Sequence, residues 1–295
     1  EMKNAKTQKY EMDMCSGSIL KKILLFTLPL MCSSLLQLLF NAADIIVVGR
    51  FAGDNSLAAV GSTSSLINLL TNFFMGLSVG ANVLVARFFG ARNQKDLTET
   101  VHTAMTLSLY SGAILTVIGL VGAEQILLWM NTPPDVLPLA TLYLRIYFLG
   151  MTAMMLYNFG SAILRAIGDT KRPLYYLTIA GIINVLLNLL FVIAFQMDVA
   201  GVAAATAISQ CISAVLIIRC MMREQGSIHL ELTSLRVNGD KFRRILQIGL
   251  PASFQGILFS FSNVIIQSSV NSFGAVTVAG NSAGANIEGF VYVSM

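Results

Sequence analysis

Residues 20–49 read LKKILLFTLPLMCSSLLQLLFNAADIIVVG, and they decide the class of the fold. After Lys21 and Lys22 the only charged side chain in this stretch is Asp44, and the only proline is Pro29. A bilayer's hydrocarbon core takes about 20 mostly apolar residues as a helix, so the stretch is long enough to cross one. Residues 57–89, 101–118, 137–164, 174–195, 199–218, 245–270 and 276 onward repeat the pattern, fully or nearly. Several exceed the minimum, which calls for tilt or protrusion. Short alternating segments of the kind that build barrels are missing. The expected fold is therefore all-α integral membrane, a multi-pass helical bundle.

Composition agrees. Of 295 residues, 55% are hydrophobic and only 12% charged, where a soluble domain carries about 25% charged residues. The mean hydropathy is +0.72. Such a chain cannot cover its surface with polar groups unless lipid does part of the solvating. The cysteines Cys15, Cys32, Cys211 and Cys220 follow neither a metal nor a disulfide spacing and read as small apolar residues or reduced thiols. No cleavable leader is expected, because the first apolar run follows a long polar segment bearing Lys3, Lys6 and Lys9. The sequence opens on Glu1 and stops at Met295 inside an apolar run, so it reads as part of a longer one.

Charge distribution sets an orientation. All of the 19 Lys and Arg residues except Arg50 and Arg145 fall before the first span or in the 2–3, 4–5 and 6–7 connections. The opposite connections carry Asp54, Glu124, Asp135 and Asp198. Positive residues stay on the cytoplasmic side, so the expected location is the cell (plasma) membrane with a cytoplasmic N-terminus. Trp129 suits an aromatic anchor at the outer interface.

An internal repeat accompanies this. Lys22-Ile-Leu-Leu-Phe-Thr-Leu-Pro29 aligns with Arg244-Ile-Leu-Gln-Ile-Gly-Leu-Pro251, and twelve residues beyond each proline stand Asn41 and Asn263. Both copies start on the same side, so the unit is six helices and the repeats are parallel. The expected division is 1–222 as a six-helix lobe, 223–243 as a cytoplasmic inter-lobe loop, and 244–295 as helices 7 and 8 of a second lobe. Twelve helices are expected in the full protein, with a substrate path between lobes that rock for alternating access.

Polar residues inside the spans mark candidate function. An ionisable group there is costly and is a functional candidate by default. Gln37, Asn41 and Asp44 stand at i, i+4 and i+7, one helical face, which Ser34 extends. Asn184 and Asn188 share a face of the fifth span, and Thr206 and Gln210 one of the sixth. Ser65, Asn68 and Asn72 stripe the second. Amides at this spacing are also ordinary interhelical glue, and Asp44 at a helix end could simply reach water. Glu288 is ionisable but close to the last residue. Arg145 can snorkel outward. No role is assigned to His102 or His229. Motifs for metalloprotease, serine hydrolase or phosphate-loop chemistry are missing, as is any acid/base carboxylate pair, so no enzyme is expected.

Taken together, the Leu28-Pro29 helix with Asp44, the segment Ala86-Arg-Phe-Phe-Gly-Ala-Arg92, the loop Gly168-Asp-Thr-Lys-Arg-Pro173 and the Asn184…Asn188 helix resemble the MATE (multidrug and toxic compound extrusion) family. They look most like its DinF-like branch. The resemblance implies two six-helix lobes and export of organic, often cationic, compounds in exchange for H+ or Na+. It implies Asp44 as the coupling residue, with Asn184, Asn188 and Thr206 completing its network. Gln37, Asn41, Asn68, Asn72, Gln210 and Asn263 are cavity-lining candidates. Members with a described cation site often have a carboxylate where this chain has Asn188, which favours protons here. No cofactor or metal beyond the coupling ion is expected. The expected partners are membrane lipid and a small organic substrate, not nucleic acid, and the protein is expected to be monomeric. A flippase for a lipid-linked precursor is the alternative. An anionic headgroup would call for cavity Arg or Lys, and only Arg145 is embedded. A channel or an intramembrane lipid enzyme is a further option that the repeat and the missing catalytic cluster argue against.

Overall fold

The structure, a computed structural model, describes residues 19–224 and 228–294. The chain forms helices α1 (Ile19–Phe51), α2 (Asp54–Gly90), α3 (Gln94–Trp129), α4 (Leu137–Leu149), α5 (Met151–Ala166), α6 (Lys171–Asn188), α7 (Asp198–Arg223), α8 (Gly239–Asn271) and α9 (Ala275–Ser294). Six of these are long and apolar enough to cross a membrane, and α4 with α5 make a seventh candidate. The run at 137–164 is thus not one straight span: α4 and α5 meet at 49°. The break falls at Gly150, where a Cβ would lie 2.9 Å from the Cα of Ala207, so the bend brings α7 against bare backbone. The last run is helical as α9, with 20 residues, but is not among the described helices that are long and apolar enough to cross a membrane.

Other ends differ for physical reasons. The third helix starts at Gln94, seven residues before its apolar run, because Asn93 caps it by accepting from the Asp96 amide. The fifth span changes character: α6 ends at Asn188 and passes into a π-helical segment, Leu189–Ala194. Residues Lys3, Lys6, Lys9 and Cys15 lie outside the described residues. Cys32, Cys211 and Cys220 are free thiols.

α5 lies at the centre of the first bundle, against α2, α3 and α7. Phe148, Met155 and Phe159 fill that core. α6 packs outside α7, and α1 packs on α6. On its far side α2 meets α8 along a seam of small residues. Gly76 and Gly80 face Gly249 and Ser253 so closely that a Cβ at Gly80 would lie 2.4 Å from the Ile245 carbonyl oxygen. Ser253 donates to the Phe73 carbonyl at 2.6 Å and Asn72 to Ser260 at 2.6 Å. With lipid as apolar as leucine, helices associate through such close packing and interhelical hydrogen bonds.

α8 and α9 echo α1 and α2. Both α1 and α8 have 33 residues and an internal proline. Each is followed by a left-handed glycine, Gly53 at φ 89° and Gly274 at φ 91°, which a residue with a Cβ would adopt only under strain.

Ionic contacts gather at one end of the bundle. Arg172 pairs with Asp169 and, at 2.5 Å, with Glu224, joining the start of α6 to the end of α7. Lys241, buried in the first turn of α8, reaches Asp96 of α3 at 2.6 Å and lies over the Phe88 ring. The loop before α8 is held by the two histidines to which the sequence assigned nothing, one tying it to α3 and the other to the end of α7. His102 Nε2 accepts from the Glu231 amide at 3.2 Å, and His229 Nδ1 donates to the Glu224 carbonyl at 2.7 Å.

Candidate functional site

Three helices deliver one polar cluster into this apolar bundle. On α1, Asp44 follows the stripe Gln37–Asn41 toward α6. On α6, Asn184 and Asn188 stand one turn apart and are both buried. Asn188 Nδ2 donates to Asp44 Oδ1, and it lies 3.4 Å from Asn184 Oδ1. Asn184 Nδ2 in turn donates to Thr206 Oγ1 of α7 at 3.3 Å. Thr206 passes its own proton to the Val202 carbonyl at 3.0 Å, within its helix. A chain of hydrogen bonds thus runs from the carboxylate through two amides to a hydroxyl. Asn188 Oδ1 is buried and has no hydrogen-bond partner among the described residues. It leaves an oxygen free beside the carboxylate, the donor type that suits a proton or a hard cation. Asn188 is also the last α-helical residue before the π segment, and such segments often accompany functional sites.

The cluster borders a cavity of about 300 Å³ enclosed by α1, α2, α4, α5, α6 and α7. Gln37, Asn41, Asn68, Asn72 and Gln210 all line it, as the sequence expects. Asn263 does not. It is exposed on α8, because α8 turns Gly249, Ser253 and Ser260 toward α2 instead. Glu288 is exposed on α9, and Arg145 is exposed and 3.5 Å from Glu124. Trp129 is exposed at the end of α3.

Several cavity residues escaped the sequence reading. Ser213 continues the Thr206–Gln210 stripe at i+7, so the rule that found Asp44 would have found it too. Asn158 and Tyr147 come from α5 and α4, on either side of the Gly150 bend that hydropathy cannot reveal. Among the described lining residues there is no Lys or Arg, and Asp44 is the sole carboxylate. A larger cavity, about 560 Å³, lies where the loop bearing His229 and Arg236 docks on α3. It is walled by a loop and one helix end, whereas the smaller one is lined by spanning helices and holds the half-buried Asp44 carboxylate. The smaller one is the candidate site.

Known proteins resemble this chain over most of its length. The MatE family model matches residues 29–190, more than half of the chain and every element of the cluster except Thr206. The chain belongs to the MatE family. Its relatives are transporters, not enzymes. The probable multidrug resistance protein YoeA of Bacillus subtilis is 30% identical over 269 residues, covering 89% of this chain and 58% of that protein. The probable multidrug resistance protein YpnP of the same organism is 28% identical, covering 95% and 62%. Among solved structures, an inward-facing multidrug resistance MATE family transporter of the MOP superfamily matches with a TM-score of 0.78 and 26% identity, over 84% of this chain and 56% of that one. The chain thus spans about three fifths of the length of these MatE relatives. MatE membership and the apolar helices make it a multi-pass membrane protein.

Proposed function

We propose that this MatE chain forms one six-helix lobe and the first two helices of a second in a twelve-helix antiporter. The antiporter exports organic cations by alternating access. The observation that carries the reading is Asp44: a carboxylate inside an apolar bundle, hydrogen-bonded to Asn188 and bordering a cavity with no other charge. Occupation of that carboxylate by a proton or a metal cation changes the cavity's charge by one unit. An organic cation bound in the same cavity is held by the free carboxylate and loses that attraction when the ion enters. Exchange follows from the competition.

Protons are the favoured coupling ion. A Na+ site of hard oxygen ligands gains from a second carboxylate, and the neighbouring position here is the neutral Asn188. The flippase reading is disfavoured, since an anionic headgroup would meet only the carboxylate and neutral groups in this cavity. The location proposed is the cell membrane, with the Lys241 end of the bundle cytoplasmic.

The test is transport by the complete protein in proteoliposomes, with proton and Na+ gradients imposed separately and a fluorescent organic cation as cargo. Cargo movement that follows the proton gradient supports the reading. Movement indifferent to both gradients overturns it.

A further inference from the structure

α1, the span nearest the start of the chain, is the least covered by protein among the described spans, yet it carries the carboxylate. Something has to set its distance from α6. One turn before Asp44, the ring of Phe40 enters the surface of α6 at Gly181. A Cβ built on Gly181 would lie 1.8 Å from Phe40 Cε2 and 2.0 Å from Cζ, while packed carbons approach to about 3.5–4.0 Å. The ring therefore occupies the space that any other residue at 181 would fill. Gly181 is buried, and Asn184 and Asn188 follow it at i+3 and i+7 on the same face of α6. Asp44 follows Phe40 at i+4 on α1. The notch and the polar cluster are thus neighbouring layers of one helix contact, about 6 Å apart along the helix.

We propose that Phe40 and Gly181 are a positioning pair: the ring seated in the notch holds α1 close enough to α6 for Asp44 to meet Asn188. The Asp44–Asn188 hydrogen bond cannot do this alone. Such a bond fixes one contact and leaves the two helices free to roll about it, while the flat ring in a glycine notch limits approach and rotation together. The inference rests on the antiporter reading, because it gives the pair a role through Asp44.

The experiment uses the complete protein in proteoliposomes under an imposed gradient, with folded protein counted by size-exclusion profile and thermal melting. Gly181→Ala pushes the ring out and should lower the gradient-driven maximal rate per folded protein at least about tenfold. A misplacement of about 1 Å can cost 10²-fold. Phe40 and Gly181 themselves line the cavity, but its polar residues remain, so the cargo concentration at half-maximal rate should change less than the maximal rate does. Phe40→Leu added to Gly181→Ala should recover part of the rate, because the shorter side chain leaves room for the methyl. Phe40→Ala covers the case in which Gly181→Ala does not fold, and should show the same fall in rate. Gly112→Ala is the control, since a Cβ there would lie 2.4 Å from the Thr152 Cα on the α3–α5 seam, away from the cavity. It should lower the amount of folded protein and leave the rate per folded protein unchanged.

Normal coupled rates in both Gly181→Ala and Phe40→Ala, or no recovery in the double variant, would overturn the proposal. The same holds if Gly112→Ala lowers the rate per folded protein equally. If Asp44→Asn is itself fully coupled, the antiporter reading falls first. If Asp44→Asn is uncoupled and Gly181→Ala is normal, only the positioning role falls.

Discussion

Asn188 donates its side-chain amide to the Asp44 carboxylate, joining α6 to α1 across 144 residues of chain. Asparagine at this position can serve the carboxylate as a donor and still present its own oxygen. That pairing separates what carries charge from what orients it, and the first two predictions follow from the separation.

Asp44→Asn preserves shape and hydrogen bonding but removes the titratable charge. The variant should reach the membrane in normal amount and melt as the parent does, while gradient-driven export falls to the passive leak. Asn184→Ala removes its hydrogen bonds to Asn188 and Thr206, and Thr206→Ala removes the second of these; each bond is worth about 0.6 kcal/mol between membrane helices, so both variants should slow export only a few-fold. Equal losses in all three variants would contradict the division of roles.

Asn188→Asp places a second carboxylate beside the first. Two hard anionic ligands suit Na+ better than one, so export should become responsive to an imposed Na+ gradient where the parent is not. Counterflow measured with 22Na+ checks this directly, and a variant indifferent to Na+ would count against the ligand argument.

The α2–α8 seam gives a stability prediction. A methyl at Gly80 meets the Ile245 carbonyl and Gly249 backbone, neither of which can swing aside. Gly80→Ala should cost about 1–3 kcal/mol, the usual range for overpacking, read as a lower midpoint in detergent unfolding. Gly90→Ala, where nothing lies within 4 Å, should leave the midpoint in place.

Arg172 holds two buried acids, Asp169 and Glu224. Arg172→Ala strands both charges and should destabilise by about 3–5 kcal/mol. Arg172→Lys should rescue little, since a point charge cannot divide itself between two carboxylates as the guanidinium fork does. Thermal melting of the purified protein separates the outcomes.

Orientation is tested by cysteine labelling. Cysteines at Arg92, Lys171 and Arg236 should react only from the cytoplasmic side, and those at Asp54, Asp135 and Asp198 only from outside. A single reversed loop would overturn the orientation and with it the parallel repeat.

Much of this site was legible in the sequence because polarity inside a membrane is expensive. Asp44, Asn184, Asn188 and Thr206 stand out as interruptions of apolar runs, and helical spacing places each on one face. What stayed hidden is geometry that apolar residues do not report. The bend at Gly150 leaves hydropathy unbroken across residues 137–164, so Tyr147 and Asn158 were not assigned to a common cavity. The π segment Leu189–Ala194 reads like any apolar turn. Asn263 was included by analogy with Asn41, and repeat analogy says nothing about which face a helix turns inward. His102 and Glu231 lie 129 residues apart, and no local pattern announces that one will hold the other.

α8 is fastened to α3 at both of its ends, and the two fastenings are unlike. At its start, the buried Lys241 meets the partly exposed Asp96 at 2.6 Å as an ion pair. At its finish, Asn271 donates to the Met130 carbonyl at 3.1 Å as a neutral hydrogen bond. Tilting α8 away from α3 at either end means giving up one latch and keeping the other. Salt screens an attraction between charges and leaves a neutral hydrogen bond largely untouched. The pair is therefore a lopsided hinge pin, and rising ionic strength loosens its Lys241 end first.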